Sequence, residues 1–279
     1  MILKTDKYVK NPLKEEWGTG KVLENVGNDI YEVFFLEAGL KKFNRKQNPL
    51  IEVENNQEQL FENLSTNKSE KFTTTSELIE YFLKNYEGGF EGQEYKDRER
   101  YYKDKAKNLI NELLSKVEYE KLLENSSYEE IIKRILKCVN STNLIFPNEK
   151  MALKDGLVSF DKQKDLSHSL YDFLYLENNK QLNFEKLAYV LENIGADKWT
   201  IISYFPFFIN SNTNIFIKPT ITQNIADITA FNIEYNSKLN WITYKKIQEF
   251  ANLFKNNIST LNPKDMIDVQ SFIWCVSGK

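Results

Sequence analysis

Trp17-Gly18-Thr19-Gly20-Lys21-Val22 decides how the first part of this chain is read. An indole followed by two glycines one residue apart lets the backbone turn sharply, because glycine tolerates φ > 0, and leaves the Trp ring on one face of the strand that follows. The strand Gly20 to Val26 leads into the turn signal Gly27-Asn28-Asp29, then into Ile30-Tyr31-Glu32-Val33-Phe34-Phe35, rich in β-branched and aromatic residues. Gly39 punctuates the next hairpin and Leu40-Lys41-Lys42-Phe43 returns as a fourth strand. Asn48-Pro49 breaks it, and Leu50-Ile51-Glu52-Val53 completes the set. Five short strands in so little chain predict a small closed β-barrel, since closure removes the exposed edges of an isolated sheet.

Composition sets the outer limits. The chain has 279 residues, 41% hydrophobic and 14% aromatic, enough for a packed core; the length exceeds one typical domain but need not hold more than two. A formal charge of −3 excludes a basic nucleic-acid coat, so any contact with DNA or RNA must be local. The two cysteines, Cys138 and Cys275, form no disulfide framework and no metal spacing, and His168 is the single histidine. Neither a metal nor a cofactor is expected. The first residues lack a signal-peptide core and the longest apolar run, around Phe205 to Ile209, is too short to span a bilayer, so a cytoplasmic location is expected.

Residues 55–74 turn to Asn, Gln, Glu, Ser, Thr and Lys with few apolar anchors, a linker composition. The domain plan is therefore a barrel over 1–54, a linker over 55–74 and a mainly helical domain over 75–279. Thr74-x-x-Glu77 is a capping box for a helix that Gly88-Gly89 stops. A longer helix is expected from near Gln93, with Tyr95, Tyr102, Ala106, Leu109, Ile110, Leu113, Leu114 and Val117 inward. Its other face carries Glu94, Arg98, Glu99, Arg100, Lys103 and Asp104. In a chain with four arginines, Arg98 and Arg100 suit forked contacts to phosphate or carboxylate; equally, Glu94–Arg98 and Arg100–Asp104 are ordinary i to i+4 pairs on a solvated face. Ser127-x-x-Glu130 opens a helix whose apolar face includes Cys138, and Asn148 caps the next. Helices follow over Asp165 to Leu176 and Asn183 to Ile194. The run Trp199 to Phe208 must be largely buried. Ile215-Phe216-Ile217-Lys218-Pro219 and Phe231-Asn232-Ile233-Glu234-Tyr235 are expected as short strands that pair in one hairpin, flanking a helix over Thr220 to Thr229. A helix starts at Thr243, and Asn262-Pro263 is expected to start the last one. The fold class is thus α+β.

Chemistry is harder to find than shape. His168 lies among helical apolar residues with no nucleophile beside it in sequence. Asp265 and Asp268, with Lys218 and Glu234, are the one cluster that could be forced into a metal-dependent nuclease, but acids in a first helical turn are expected from the macrodipole alone. The chain reads more readily as a non-enzyme.

Tyr8-Val9, Trp17-Gly18-x-Gly20-x-Val22, Val33-x-Phe35, Ala38-Gly39-x-Lys41 and Leu50 resemble a small bacterial Tudor-like domain of unknown function. That domain is similar to the C-terminal Tudor domain of UvrD-type helicases and to the RNA-polymerase-interacting domain of CarD-type transcription factors. The resemblance covers about the first fifth of the chain. It implies a docking module for RNA polymerase, a repair factor or nucleic acid, with Trp17, Lys41, Lys42, Arg45 and Lys46 as the contact surface. Alternatively, Trp17 only plugs the barrel and the lysines only keep an edge strand soluble. The remainder, through Gly88-Gly89-Phe90, Glu99-Arg100-x-Tyr102-Lys103, Glu149-Lys150-Met151-Ala152-Leu153-x-Asp155, Phe205-Pro206-Phe207, Lys218-Pro219 and Asp268-x-Gln270-Ser271-Phe272-Ile273-Trp274, resembles uncharacterised bacterial proteins that join such a domain to a helical body. Two functions follow. One is an adaptor that docks through the barrel on a protein partner or nucleic acid. The other is a nucleic-acid-processing component of a restriction or defence system, with Arg98, Arg100, Lys103 and Lys218 on phosphates.

Overall fold

The computed structural model describes residues 3–54, Phe61, Leu64 and 72–278. It is an α+β chain in which an antiparallel five-stranded sheet precedes a helical body. The strands are β1 (Tyr8–Lys10), β2 (Thr19–Gly27), β3 (Ile30–Phe35), β4 (Gly39–Asn44) and β5 (Ile51–Val53), with a 3-10 turn, Glu15–Trp17, between β1 and β2. Their spatial order is β4-β3-β2-β1-β5. The strands form an open sheet, with β4 and β5 as its outer members, and no pairing between these two closes a barrel among the described residues.

Period-two alternation sets the core of the sheet. Tyr31, Val33 and Phe35 of β3 share one face and are buried with Val9, Val22, Phe43 and Leu50. Two register shifts in β2, at Val22/Glu24 and Asn25/Gly27, bend it as bulges do. The glycines of the opening motif have separate jobs. Gly18 sits at φ 69°, which turns the chain out of the 3-10 helix, whereas a Cβ on Gly20 would lie 2.8 Å from the Phe35 and Val33 side chains.

The opposite face of the sheet meets the body. Phe34 packs edge-on against Phe72 at 5.1 Å, Tyr8 lies 5.1 Å from the buried Phe61, and Leu64 bridges Phe231. Most of the expected linker lies outside the described residues, but Phe61, Leu64 and Phe72 within it act as apolar anchors. A cavity of about 100 Å³ remains along this seam, lined in part by Phe34, Phe72, Phe231 and Phe250.

The body contains α1 (Thr75–Asn85), α2 (Tyr101–Leu113), α3 (Lys116–Glu124), α4 (Tyr128–Asn140), α5 (Pro147–Gly156), α6 (Phe160–Tyr175), α7 (Lys180–Asn193), α8 (Trp199–Ile209), α9 (Pro219–Ile228), α10 (Trp241–Asn257) and α11 (Met266–Val276). A single turn, Gln93–Tyr95, and a π-helical segment, Lys96–Arg100, lead without a break into α2. The Thr74/Glu77 capping box on α1 forms as the motif predicts. Trp199 to Phe208 are all buried, which makes α8 the centre of the body. No helix among the described residues is long and apolar enough to cross a membrane.

Three expectations fail for identifiable reasons. The long helix from Gln93 stops at Leu113 instead of passing Val117, because side chains from other helices take its last carbonyls. Arg134 Nη1 donates to Leu113 O at 2.9 Å and the Tyr175 hydroxyl donates to Leu114 O. No hairpin forms between Ile215–Pro219 and Phe231–Tyr235. The Ile215 amide donates to Gln248 Oε1 at 2.7 Å and the Ile217 amide to Ser203 Oγ at 2.9 Å, so side chains replace the ladder. The last helix starts at Met266, not at Pro263. Asp265 is its N-cap, its carboxylate accepting the Ile267 amide at 3.0 Å, while Asn262 adopts φ 58° at the end of a 3-10 turn.

Candidate functional site

On the sheet, the 3-10 turn sets Trp17 at the margin of the small core. Its ring is half-buried and meets Phe35 and Phe43 edge-on at 5.4 and 6.0 Å, while Lys41 Nζ lies over it at 5.6 Å. Trp17 is therefore neither a full plug nor a free ring: one part packs on the core and the rest faces outward beneath a cation. The other basic positions are in use. Lys42 Nζ pairs with Glu32 at 3.1 Å and Lys46 Nζ with Asp29 at 3.0 Å, while the Arg45 amide donates to Asp29 O at 2.9 Å. The Lys46–Asp29 pair is exposed on both sides, 80% and 42%, and is weak in water, whereas Lys42, itself 66% exposed, answers the buried carboxylate of Glu32 and is not free to leave it.

The four proposed phosphate contacts do not converge. Arg98 makes the exposed i to i+4 pair with Glu94, at 3.0 Å. Arg100 does not lie on a solvated face, and its guanidinium is the hub of a buried network. Nε donates to Asp104 at 2.9 and 3.0 Å, Nη1 to Asp265 and Asp268 at 2.8 Å each, and Nη2 to Asp265 at 3.1 Å. Tyr95 Oη donates to Asp268 at 2.5 Å, Ser211 Oγ to Asp265 at 3.1 Å, and Lys107 Nζ to Ser211 Oγ at 2.7 Å. Lys103 is buried as well, donating to Glu99 at 2.8 Å and Ser271 Oγ at 2.7 Å. A π turn carries an extra residue, which rotates the inward face so that Lys103 replaces the expected Tyr102.

The electrostatics follow from this burial. Desolvation alone would raise the Asp265 carboxyl, but the hydrogen bonds and charge of Arg100, with Lys107 and Ser211, outweigh it and hold the pKa below its ordinary value. Desolvation lowers Lys103, and Glu99 offsets part of that shift. Every acid here is engaged by a cation or an amide, and the network ties the π segment and α2 to the start of α11. Glu234 lies outside it, paired with Lys246 at 3.8 Å. Among the described residues, no group of three or more His, Cys, Asp and Glu side chains is arranged to hold a metal ion.

Lys218 stands apart from all of these, at the N-cap of α9. Its Nζ lies 4.6 Å from the ring centroids of both Phe146 and Trp274. His168 is exposed and its Nε2 meets Tyr128 Oη at 3.3 Å. Burial pushes the Cys138 thiol up to about 12 and the Cys275 thiol to about 11, so neither is a ready nucleophile.

No protein-family model, curated protein or solved structure matches this chain. The chemistry of the site must therefore be argued from its own residues. Sequence reasoning missed the Arg100–Asp265–Asp268 network because it joins residues far apart in the chain. The available signal was the pairing of a scarce arginine with two acids in an apolar helix.

Proposed function

We propose that the protein is a non-enzymatic adaptor whose N-terminal sheet, as a Tudor-like module, docks on an acidic surface of a protein partner such as RNA polymerase or a repair factor. The observation that carries this reading is Trp17, half-buried on Phe35 and Phe43 with Lys41 over its exposed ring. A tryptophan is a frequent interface hot spot, because its rigid ring offers large contact area with little side-chain entropy to lose. Lys46, exposed and weakly paired, and the exposed side chain of Lys42 supply a basic margin that steers an acidic partner.

Nucleic-acid processing draws less support, because Arg100 and Lys103 are committed to internal carboxylates. The test uses the full chain and purified RNA polymerase core enzyme in a surface-binding assay. The double variant Trp17→Ala/Lys41→Ala is expected to weaken binding at least about tenfold, which corresponds to 1.4 kcal/mol or more. Equal binding by wild type and variant would defeat polymerase docking through this surface. Capture of duplex DNA with a steep salt dependence, lost in the same variant, would move the assignment to nucleic acid.

A further inference from the structure

We infer that the Phe146–Lys218–Trp274 clamp is a second docking point, built to take a carboxylate of an acidic peptide segment from a protein partner. Three elements meet there: the N-cap residue of α5, the N-cap residue of α9 and the last turns of α11. Lys218 Nζ lies 4.6 Å from each ring centroid, and the two rings are 50% and 43% exposed.

The position is a poor one for a lysine by its own element. A helix N-terminus carries partial positive charge, so a cation at the N-cap of α9 is disfavoured. The two ring faces offset that repulsion through their quadrupoles. Desolvation beside them lowers the Lys218 pKa, and only the more distant charge of Glu149 opposes the shift. Glu149 is occupied, accepting the Phe146 amide at 3.1 Å and Thr200 Oγ1 at 2.9 Å. No carboxylate lies within ion-pair distance of Lys218 among the described residues. The ammonium is thus fixed, partly stripped of water and short of an anion, and two exposed aromatics flank it. An incoming carboxylate gains a charge-assisted hydrogen bond to a donor already held in place.

The occupant follows from charge. A nucleic-acid strand would stack bases on such rings but needs several cations along its backbone. The local charge is small: Lys150, which donates to Thr142 O at 2.5 Å and keeps its charge, is offset by the carboxylate of Glu149, so Lys218 is the cation left without a counter-charge, enough for one carboxylate and too little for a phosphate backbone. One carboxylate with apolar neighbours is the better fit. The site is separate from Trp17 and stands whether or not the sheet binds a partner.

The test measures fluorescence anisotropy of a fluorescein-labelled peptide of alternating Glu and Phe, titrated with the full chain. Its controls are the matching Gln/Phe peptide and labelled oligothymidylate. Wild type is expected to bind the Glu peptide at least about tenfold more tightly than the Gln peptide. Lys218→Gln and Trp274→Ala should each remove that preference, Lys218→Arg should keep most of it, and Lys133→Gln on a remote exposed surface should leave it intact. Equal binding of the two peptides, or a preference that survives Lys218→Gln, overturns the proposal. Tighter binding of the oligothymidylate than of the Glu peptide overturns it in favour of a nucleic-acid surface. Circular dichroism of each variant separates loss of the contact from loss of the fold.

Discussion

Arg100 shows how one side chain can be essential to a fold while looking ordinary in a sequence. Its guanidinium spreads hydrogen bonds over Asp104, Asp265 and Asp268, and its fork geometry is what lets it reach all three. Removing it leaves Asp265 and Asp268 buried without the guanidinium, and a broken pair of that kind costs about 3–5 kcal/mol. Arg100→Ala is therefore expected to lower the urea midpoint sharply, with Arg100→Lys recovering only part of the loss. The pH dependence separates this from a simple packing defect. In the wild type the Asp265 pKa is depressed, so its share of stability is present above the unfolded carboxylate value and is lost as pH falls through the folded one. In Arg100→Ala desolvation prevails and raises the folded value, which reverses the sign: stability is lost as pH rises through the carboxylate range. The deficit of the variant, measured by urea unfolding across acid pH, should shrink as pH falls. A deficit constant with pH would mean that the charge of Arg100 matters less than its bulk.

At the scale of elements, what could be read was what local physics fixes. The alternation of Ile30 to Phe35 gave β3 its core face, Thr74 and Glu77 gave α1 its start, and the apolar run from Trp199 gave a buried segment. What could not be read was set by distant side chains. Nothing near Leu113 announces that Arg134 and Tyr175 will take the carbonyls there, and nothing near Lys96 marks a π turn. The same holds for the missing hairpin: Ile215 and Phe231 have strand composition, but Gln248 offers the Ile215 amide an acceptor before any strand can. The candidate surface divides the same way, since the Trp17 rim was visible in a local motif and the Phe146–Lys218–Trp274 clamp is assembled from three remote segments. Gln248→Leu tests the role of that glutamine. It strands a buried amide, which costs about 1–3 kcal/mol, and amide hydrogen exchange at Ile215 should accelerate accordingly. Unchanged protection there would show that the segment is held by its buried Ile and Phe side chains alone.

For the molecule as a whole, the sheet and the helical body meet across aromatic packing. Phe34 sits between them, 5% exposed and edge-on to Phe72, beside the seam cavity. Phe34→Ala enlarges that void and is expected to cost about 3–5 kcal/mol. The sheet should then exchange its amides faster than the body, a difference that residue-resolved hydrogen exchange reads directly. If both parts loosen equally, they unfold as one unit and the seam is no weaker than either core. The network around Arg100 has another consequence, in time instead of space. Asp265 and Asp268 are translated 165 and 168 positions after their guanidinium partner, which at ordinary elongation rates is a wait of roughly ten to thirty seconds. Through that interval the guanidinium has only Asp104 of its three acids to pair with, so the π segment and α2 lack their tie to α11, and ribosome-bound intermediates of this protein should be clients for chaperones until that helix emerges.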